Sequence, residues 1–344
     1  MFEIPEWPYF LAAPQASGLI RSCPEDFLVE EIPRITPAGE GSHLWLWVEK
    51  RSANTDWVAR ELAKAAACPL RDVGYAGLKD RHAVTRQWFS VPGSDVAAES
   101  LAAVEIEGTV ILETHKHTRK LKRGTLNGNR FVLKIRHFEG DSDETRKRLE
   151  KISSGGVPNY FGPQRFGRGG ANVEKGYSLL KRRARLQRNK KSIYLSAIRS
   201  FMFNHLLAER VRQGNWSTMI DGDLAMLDGT QSIFPVELPD ADIEDRCKHL
   251  DIHPTGPLPG ENGSQVTGAA AELERDVLSK WPELIEVLTS DRVQASRRSL
   301  RLYPADLEWS FEDDILELRF TLPPGAYATT VLREILVAKE AERP

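Results

Sequence analysis

The chain has 344 residues, long for one compact core, so two domains are expected. A hydrophobic content of 41%, a charged content of 28% and a net charge of −2 describe a soluble globular chain with no general pull on polyanions, so any basic surface must be local. Cys23, Cys68 and Cys247 form no CxxC pair, which argues against structural zinc and for a reducing compartment. No stretch is apolar for long enough to span a membrane, and no basic region followed by an apolar run opens the chain, so a cytoplasmic location is expected.

Residues 1–18, with Pro5, Pro8 and Pro14, read as an irregular lead-in. In LIRSCPEDFLVEEIP (19–33), Phe27, Val29 and Glu31 alternate with Leu28, Glu30 and Ile32 as in a strand. A glycine turn at 39–41 leads into HLWLWVEK (43–50), apolar on both faces and so a central strand. Residues 54–67 carry Trp57, Val58, Leu62 and Ala65 at helical spacing, with Asn54 or Thr55 placed to cap.

A strand around Val73 then leads into GYAGLKDRHAVTRQWFSV (74–91). Gly74 and Gly77 are expected to bracket a sharp turn, because glycine tolerates φ > 0. Asp80 follows between Lys79 and Arg81, and Trp88, Phe89 and Val91 close the stretch as a buried strand. A carboxylate framed by a turn and cations stays ionised and suits a nucleophile or base. A surface turn with an adjacent charge pair would leave the same trace.

The run HKHTRKLKRG (115–124) is the densest basic stretch of the N-terminal half. The strand after it turns Asn129, Phe131, Leu133 and Ile135 one way and Arg130, Lys134 and Arg136 the other. An amide beside an aromatic ring is what a planar, hydrogen-bonding base needs. Phe131 as plain core and Asn129 as a turn residue after Gly128 fit the stretch as well.

A charged helix is expected over 141–154, and then GVPNYFGPQRFGRGG (156–170) as a loop. The basic cluster KRRARLQRNKK (181–191) precedes an amphipathic helix with Ile198, Phe201, Met202, His205, Leu206 and Val211 on one stripe, where His205 reads as core. Residues 214–268 suggest a small irregular β region. Leu273 to Leu302 reads as helix interrupted by Pro282. DILELRFTLPPG (314–325) alternates as a strand, and AYATTVLREILVAK (326–339) reads as a helix with Tyr327 at its N-terminus. The return to clean patterning places residues from about 302 with the first domain, the middle being an insertion.

The spacing of a phosphate-binding loop is missing, no GxSxG elbow supports a serine triad, and no metal-ligand spacing accompanies His115 and His117. A glycosidase would want a second framed carboxylate, for which Glu30 and Glu31 are the nearest candidates, although a pair on a strand reads as surface charge. A non-catalytic RNA-binding protein is the other alternative, and the presence of Asp80 speaks against it.

Taken together, PEDFLVEEI (24–32), GYAGLKDRHAVTRQWFSV (74–91), GNRFVLKIR (128–136), GVPNYFGPQRFG (156–167), SAIRSFMFNHLLAERV (196–211) and LPPGAYATTVLREI (322–335) resemble the tRNA pseudouridine synthase D (TruD) family in order and spacing. The resemblance implies an α+β fold: a pseudouridine synthase catalytic domain, with a mixed, mainly antiparallel sheet and flanking helices, over residues 1–154 plus 302–344. It implies a family-specific inserted α+β domain over 155–301. It implies isomerisation of uridine at tRNA position 13, without cofactor or metal, by a cytoplasmic protein with tRNA as its partner and no protein partner or membrane. A monomer is expected. Carried over by motif, Asp80 is the catalytic aspartate, and Phe27, Asn129, Phe131 and Tyr327 contact the target nucleotide. Related chains often carry phenylalanine where this one has Tyr327. Arg21 is the first candidate to pair with Asp80 and Lys79 the second. Lys120, Lys122 and Arg123 on one side, and Arg182 and Arg183 on the other, are expected to meet RNA phosphates across a cleft between the two domains.

Overall fold

The computed structural model describes residues 2–341, apart from the side chains of Asp95 and Val96. It divides into two compact units. One comprises Gln15–Lys147, Pro304–Gly325 and the chain from Leu336 onward; the other comprises the residues up to Pro14, Arg148–Tyr303 and Ala326–Ile335.

The first unit is built on one large sheet. Its strands run in the order Ala305–Glu312, Ile315–Leu322, Leu126–Glu139, Phe27–Pro33, Val84–Pro92, His43–Arg51 and Thr109–His117. Ser17–Ile20 and Gly74–Tyr75 attach to its sides. Neighbours are antiparallel except where Phe27–Pro33 meets Val84–Pro92 and where Ser17–Ile20 meets Val337–Glu340. The sheet is therefore mixed and mainly antiparallel, as expected.

The register decides what shares a face. Lys50, Thr85, Val29, Phe131 and Phe320 are successive cross-strand partners, and so are Glu31, Asn129 and Leu322. Side chains directly opposite point to the same side of a sheet, so Lys50, Thr85, Gln87, Glu31 and Asn129 line one otherwise apolar face. The helix Thr55–Ala65 covers one end of it, packing Val58, Ala59, Leu62 and Ala63 on Leu44, Leu46, Val48 and Phe89. Neither Asn54 nor Thr55 caps that helix with its side chain as expected. The Thr55 hydroxyl is buried, bonding Gln87 Oε1 at 3.1 Å and accepting the Lys79 backbone N–H at 3.1 Å.

The second unit centres on the helix Arg188–Arg212, which buries Ile198, Phe201, Met202 and Leu207 in an aromatic core with Tyr160, Phe161 and Phe166. A four-stranded sheet, Ile233–Pro235, Leu224–Leu227, Ile252–Leu258 and Ser296–Ser299, lies in the same unit. His205 is a core histidine, ringed by Trp7, Phe201 and Trp281 at 4.9, 4.5 and 4.2 Å; burial pushes its pKa down to about 4.

Two segments leave the expected division at 154/155 and 301/302. Trp7 stacks on Tyr160 at 5.8 Å, and Phe2, Ile4 and Phe10 pack on the same core, which draws the lead-in into the second unit. The helix Ala328–Ile335 joins it too, through Thr330 Oγ1 donating to the Tyr160 carbonyl. Apolar burial outweighs sequence proximity here.

Several elements differ from the sequence reading. Residues 296–302 are strands, not the tail of a helix, because they pair with Ile252–Leu258 and Val157–Pro158. Residues 156–170 contain the helix Pro163–Phe166. His115 and His117 end the edge strand Thr109–His117. The helix expected over 326–339 stops at Ile335, and Val337–Glu340 becomes a strand along Ser17–Ile20.

Candidate functional site

Asp80 sits in the loop that crosses the polar end of the sheet face. Its Oδ2 accepts from Arg21 Nη2 at 2.6 Å and its Oδ1 from the His82 backbone N–H at 3.1 Å. The Asp80 side chain stays 29% exposed while Arg21 is 6% exposed, so the carboxylate reaches solvent and its partner does not. The guanidinium also bonds Glu340 Oε1 at 3.0 Å and lies 4.0 Å from the Phe27 ring centroid. Arg21 adopts φ 57°, an uncommon conformation for a residue other than glycine, and it follows directly on the strand Ser17–Ile20. Of the two cations proposed from sequence, Arg21 is thus the partner of Asp80.

Lys79 serves a different carboxylate. Its ammonium pairs with Glu31 Oε2 at 2.8 Å, both side chains buried. Glu31 also accepts the Trp88 backbone N–H at 3.3 Å, and burial, opposed by Lys79, raises its pKa. The expectation that Glu30 and Glu31 are surface charge fails for Glu31. Glu30 pairs with Arg86 at 3.3 Å. Both candidates for a second catalytic carboxylate are therefore engaged in ion pairs.

The glycines of this loop act otherwise than expected. Neither Gly74 nor Gly77 has a positive φ. A Cβ at Gly74 would lie 2.3 Å from the Leu121 carbonyl oxygen, so glycine is needed there for close approach. Gly77 lends its carbonyl to Gln87 Nε2 at 3.0 Å, which ties the loop to the sheet.

Lys50 is a residue that the motifs did not single out. It is fully buried, and its ammonium donates to the carbonyls of Ala53 at 2.7 Å and Asp80 at 2.8 Å. Burial lowers its pKa to about 8, against the pull of Asp80. The lysine thus fixes the backbone of the very residue that carries the candidate carboxylate. The signal available in the sequence was its parity: Lys50 shares the inward phase of Leu44, Leu46 and Val48.

Farther along the face, Phe27 and Phe131 meet edge to face at 6.3 Å, and Phe131 stacks on Phe320 at 5.5 Å. Asn129 lies between Glu31 and Leu322 in register, and its Oδ1 is buried without a partner. A Cβ at Gly128 would lie 2.5 Å from the Leu322 carbonyl oxygen, so glycine permits the close strands beside Asn129. A buried acceptor without a donor costs about 1–3 kcal/mol, a cost that an incoming N–H would remove.

The structure brings Arg21, Phe27, Asp80, Asn129 and Phe131 together in the first unit. Tyr327 belongs to the second unit, where its hydroxyl accepts from Arg165 Nη2 at 2.5 Å. Arg165 Nη1 bonds Ser196 Oγ at 2.9 Å. Among the expected phosphate-binding residues, Lys120 donates to the Arg71 carbonyl, and Arg123 bonds the Tyr75 hydroxyl at 2.6 Å with its guanidinium 4.3 Å from that ring centroid. Lys122 is exposed in the same loop, and Arg182 and Arg183 are exposed after the helix Ala171–Lys181. No group of three or more His, Cys, Asp or Glu suited to a metal ion occurs among the described residues.

Comparison with known proteins gives one consistent answer. The sequence model described as tRNA pseudouridine synthase D (TruD) matches residues 6–185 and 173–335. The chain is 45% identical over 340 residues to the tRNA pseudouridine synthase D of Methylococcus capsulatus, covering 96% of each chain. It is 46% identical over 333 residues to that of Nitrosococcus oceani, covering 95% of this chain and 93% of the relative. Its fold matches a crystal structure of a TruD chain from Methanosarcina mazei with a TM-score of 0.73 at 22% identity, over 96% of this chain and 95% of that one.

Proposed function

This chain belongs to the tRNA pseudouridine synthase D (TruD) family, and from that premise we propose that it isomerises uridine to pseudouridine in tRNA, at position 13. The observation that carries the assignment of residues is the Arg21–Asp80 pair, set beside Phe27, Phe131 and the unpartnered Asn129 Oδ1 on one sheet face.

In this reading Asp80 is the nucleophile or base. The reaction breaks the N1–C1′ bond, turns the uracil and joins C5 to C1′; the C5 proton leaves and N1 gains one, so nothing is oxidised. Asp80 attacks C1′, or takes the C2′ proton to give a glycal. Either role needs an ionised and positioned carboxylate. The Arg21 guanidinium supplies the charge partner, the His82 N–H orients the other oxygen, and Lys50 holds the backbone. The detached uracil must be kept while it turns, for which Phe131 offers a wall and Asn129 Oδ1 an acceptor for an imide N–H. Tyr327 is assigned to the same nucleotide by its motif. The target base has to leave its stack, a cost of a few kcal/mol that such contacts offset.

Lys120, Lys122 and Arg123, with Arg182 and Arg183, are proposed to meet tRNA phosphates. The protein is taken to act as a cytoplasmic monomer without metal or cofactor, its chemistry in the unit of Gln15–Lys147, Pro304–Gly325 and the chain from Leu336 onward. The test is a tRNA transcript made without modifications, incubated with the purified protein and mapped for pseudouridine. Product at position 13 is the expected result. Product only elsewhere would refute the position, and no product from any transcript would refute the activity.

A further inference from the structure

In the first unit a cavity of about 480 Å³ opens between the helix Thr55–Ala65 and the loop after the strand Thr109–His117. Its size falls among small-ligand pockets, about 300–1,000 Å³. Arg60 comes from the helix, Arg71 from the short helical turn Leu70–Asp72, and Lys120, Lys122 and Arg123 from the loop. Asp56 is the one carboxylate that lines it. The chain as a whole carries a net charge of −2, so this excess of cations is local and not general. Arg60 and Arg71 belong to none of the motifs read from the sequence.

The cations differ in what they already meet. Arg123 donates to the Tyr75 hydroxyl at 2.6 Å, and that hydroxyl donates to the Asp56 carboxylate, so Arg123 and Asp56 are linked through Tyr75. Lys120 donates to the neutral Arg71 carbonyl. Arg60, Arg71 and Lys122 are exposed, and among the described residues their side chains make no hydrogen bond or ion pair. Like charges gathered without a counter-charge repel, and an anion placed between them removes that repulsion. The loop that carries the lysines is fixed. The Leu121 N–H donates to Ser90 Oγ at 2.8 Å and the Gly124 N–H to the Ala76 carbonyl at 2.8 Å. The site thus exists before anything binds, which lowers the ordering cost of binding.

The lining narrows what fits. A metal ion would be repelled, and a purely apolar ligand would leave the cations unanswered. Leu70, 46% exposed, adds an apolar patch beside the charges. A bare inorganic anion would use the cations and not that patch. A sugar–phosphate unit uses both, with its phosphate among the cations and the carbon face of its ribose on Leu70. The position agrees with an RNA strand. Tyr75, in the cavity wall, pairs with Phe89, and Lys50, which holds the Asp80 carbonyl, pairs with Thr85 on the same strand. From Thr85 to Phe89 is four residues of strand, about 13 Å. One RNA strand can therefore meet the cavity and Asp80 together.

We propose that this cavity holds one sugar–phosphate unit of the tRNA backbone near the target uridine, with its phosphate among Arg60, Arg71, Lys120 and Lys122. The inference rests on the RNA-modifying reading above. It adds Arg60 and Arg71 to the RNA contacts and makes the contact one defined phosphate rather than a diffuse field.

The experiment measures binding of the full-length protein to unmodified tRNA that carries one methylphosphonate at a time around the target uridine. Each substitution removes a single phosphate charge. In wild type one position should lower affinity roughly three- to tenfold. The double variant Arg60→Gln, Arg71→Gln should bind intact RNA more weakly by a similar factor. It should lose little more at that position, because both changes remove the same contact. Asp56→Asn keeps an acceptor for the Tyr75 hydroxyl and removes the one lining carboxylate. It should bind intact RNA about two- to threefold more tightly and bind the methylphosphonate RNA as wild type does. Should the double variant melt below wild type, the Asp56→Asn comparison decides. No sensitive position, or equal falls in wild type and the variants at every position, would overturn the proposal and send the backbone over another surface. Inorganic phosphate replacing chloride at constant ionic strength gives the last arm. Phosphate that competes in wild type but not in the double variant, with no sensitive position, would mark a free-anion site and overturn the proposal as well. Absence of pseudouridine from every transcript, with the coupling intact, would overturn the activity reading alone.

Discussion

Arginines are partnered differently on the sheet face of the first unit and around Phe161 in the second. On the sheet face the charges are matched: Arg21 with Asp80 and Glu340, and Lys79 with Glu31. Around Phe161, by contrast, Arg165 meets a phenol and a serine hydroxyl, and Arg199 meets carbonyls and a hydroxyl. A matched carboxylate–guanidinium pair positions a reactive anion and keeps it charged. Cations whose partners are neutral keep their charge for an anion brought from outside. The sheet face is therefore organised to hold a reactive group of its own, whereas the guanidiniums around Phe161 are held by neutral partners.

The strongest way to break that comparison is Asp80→Asn. Asparagine keeps the size and can still bond the His82 N–H, yet it is neither nucleophile nor base. Turnover of the tRNA transcript should fall about a thousandfold or more, with melting temperature and tRNA affinity close to wild type. Turnover within tenfold of wild type would move the chemistry off the sheet face.

Arg21→Lys comes next. The guanidinium fork reaches Asp80 and Glu340 at once while lying over Phe27, and an ammonium on a flexible stem cannot do all three. A fall in kcat of about 10–100-fold is expected with little change in tRNA affinity. A fall in affinity larger than the fall in kcat would mean that Arg21 meets RNA rather than Asp80.

Much of this was open to sequence reading, for a physical reason. Alternation at Phe27, Val29 and Glu31, at Asn129 through Ile135, and at Leu316 through Leu322 reports burial on one sheet face, and a one-residue slip would have inverted it. The partners of charged groups were not open to it. Nothing in GLKDRH separates Lys79 from Arg21 as the mate of Asp80, because Arg21 reaches that place through a left-handed backbone 59 residues away. Strand Val337–Glu340 was hidden for a similar reason, since it pairs with Ser17–Ile20 at the far end of the chain. The lead-in looked irregular and is so in backbone, but Trp7 and Phe10 gave no hint of the core they join.

Lys50→Met sharpens the comparison from beneath. Removing the ammonium leaves the carbonyls of Ala53 and Asp80 without their donor, at about 1–3 kcal/mol for each unsatisfied group, offset in part because a buried cation is also removed. A net decrease of about 2 kcal/mol in unfolding free energy is expected, with kcat lowered and KM little changed. The pH dependence gives an independent check. Burial lowers the Lys50 pKa from 10.5 to about 8, so between those values the unfolded chain binds the extra proton and wild type gains stability as pH rises. The Met variant should lack that gain. An identical pH–stability profile in the two proteins would show that Lys50 is not the group titrating there.

If Lys120, Lys122 and Arg123 meet phosphates as proposed, changing them together to Ala should weaken tRNA binding and reduce its salt slope by about one unit for each phosphate left unneutralised. The Arg71 carbonyl that holds Lys120 is neutral, whereas the Tyr75 hydroxyl that holds Arg123 donates in turn to the Asp56 carboxylate, so Lys120 and Lys122 should carry more of the slope than Arg123. Turnover at saturating tRNA should hold. An unchanged slope would route the RNA over another face.

The smallest effect is expected at Tyr327, and its size separates binding from chemistry at that phenol. In Tyr327→Phe the ring remains, so any stacking on the target nucleotide remains with it. What goes is the hydroxyl that accepts from Arg165, and Arg165 keeps Ser196 Oγ. One hydrogen bond to a charged donor contributes about 1.5–3 kcal/mol when buried, and less at this half-buried position, where water can take its place. The result should be a rise in KM of about two- to fivefold, with kcat unchanged, because a residue that receives RNA acts on ground state and transition state alike. A kcat lowered a hundredfold in the Phe variant would give the phenol a part in proton transfer, and the second unit would then hold reactive chemistry of its own. Tyr327→Ala supplies the scale: with the ring gone as well, KM should rise well beyond the Phe variant, and equal values for the two would mean that the ring never touches the nucleotide.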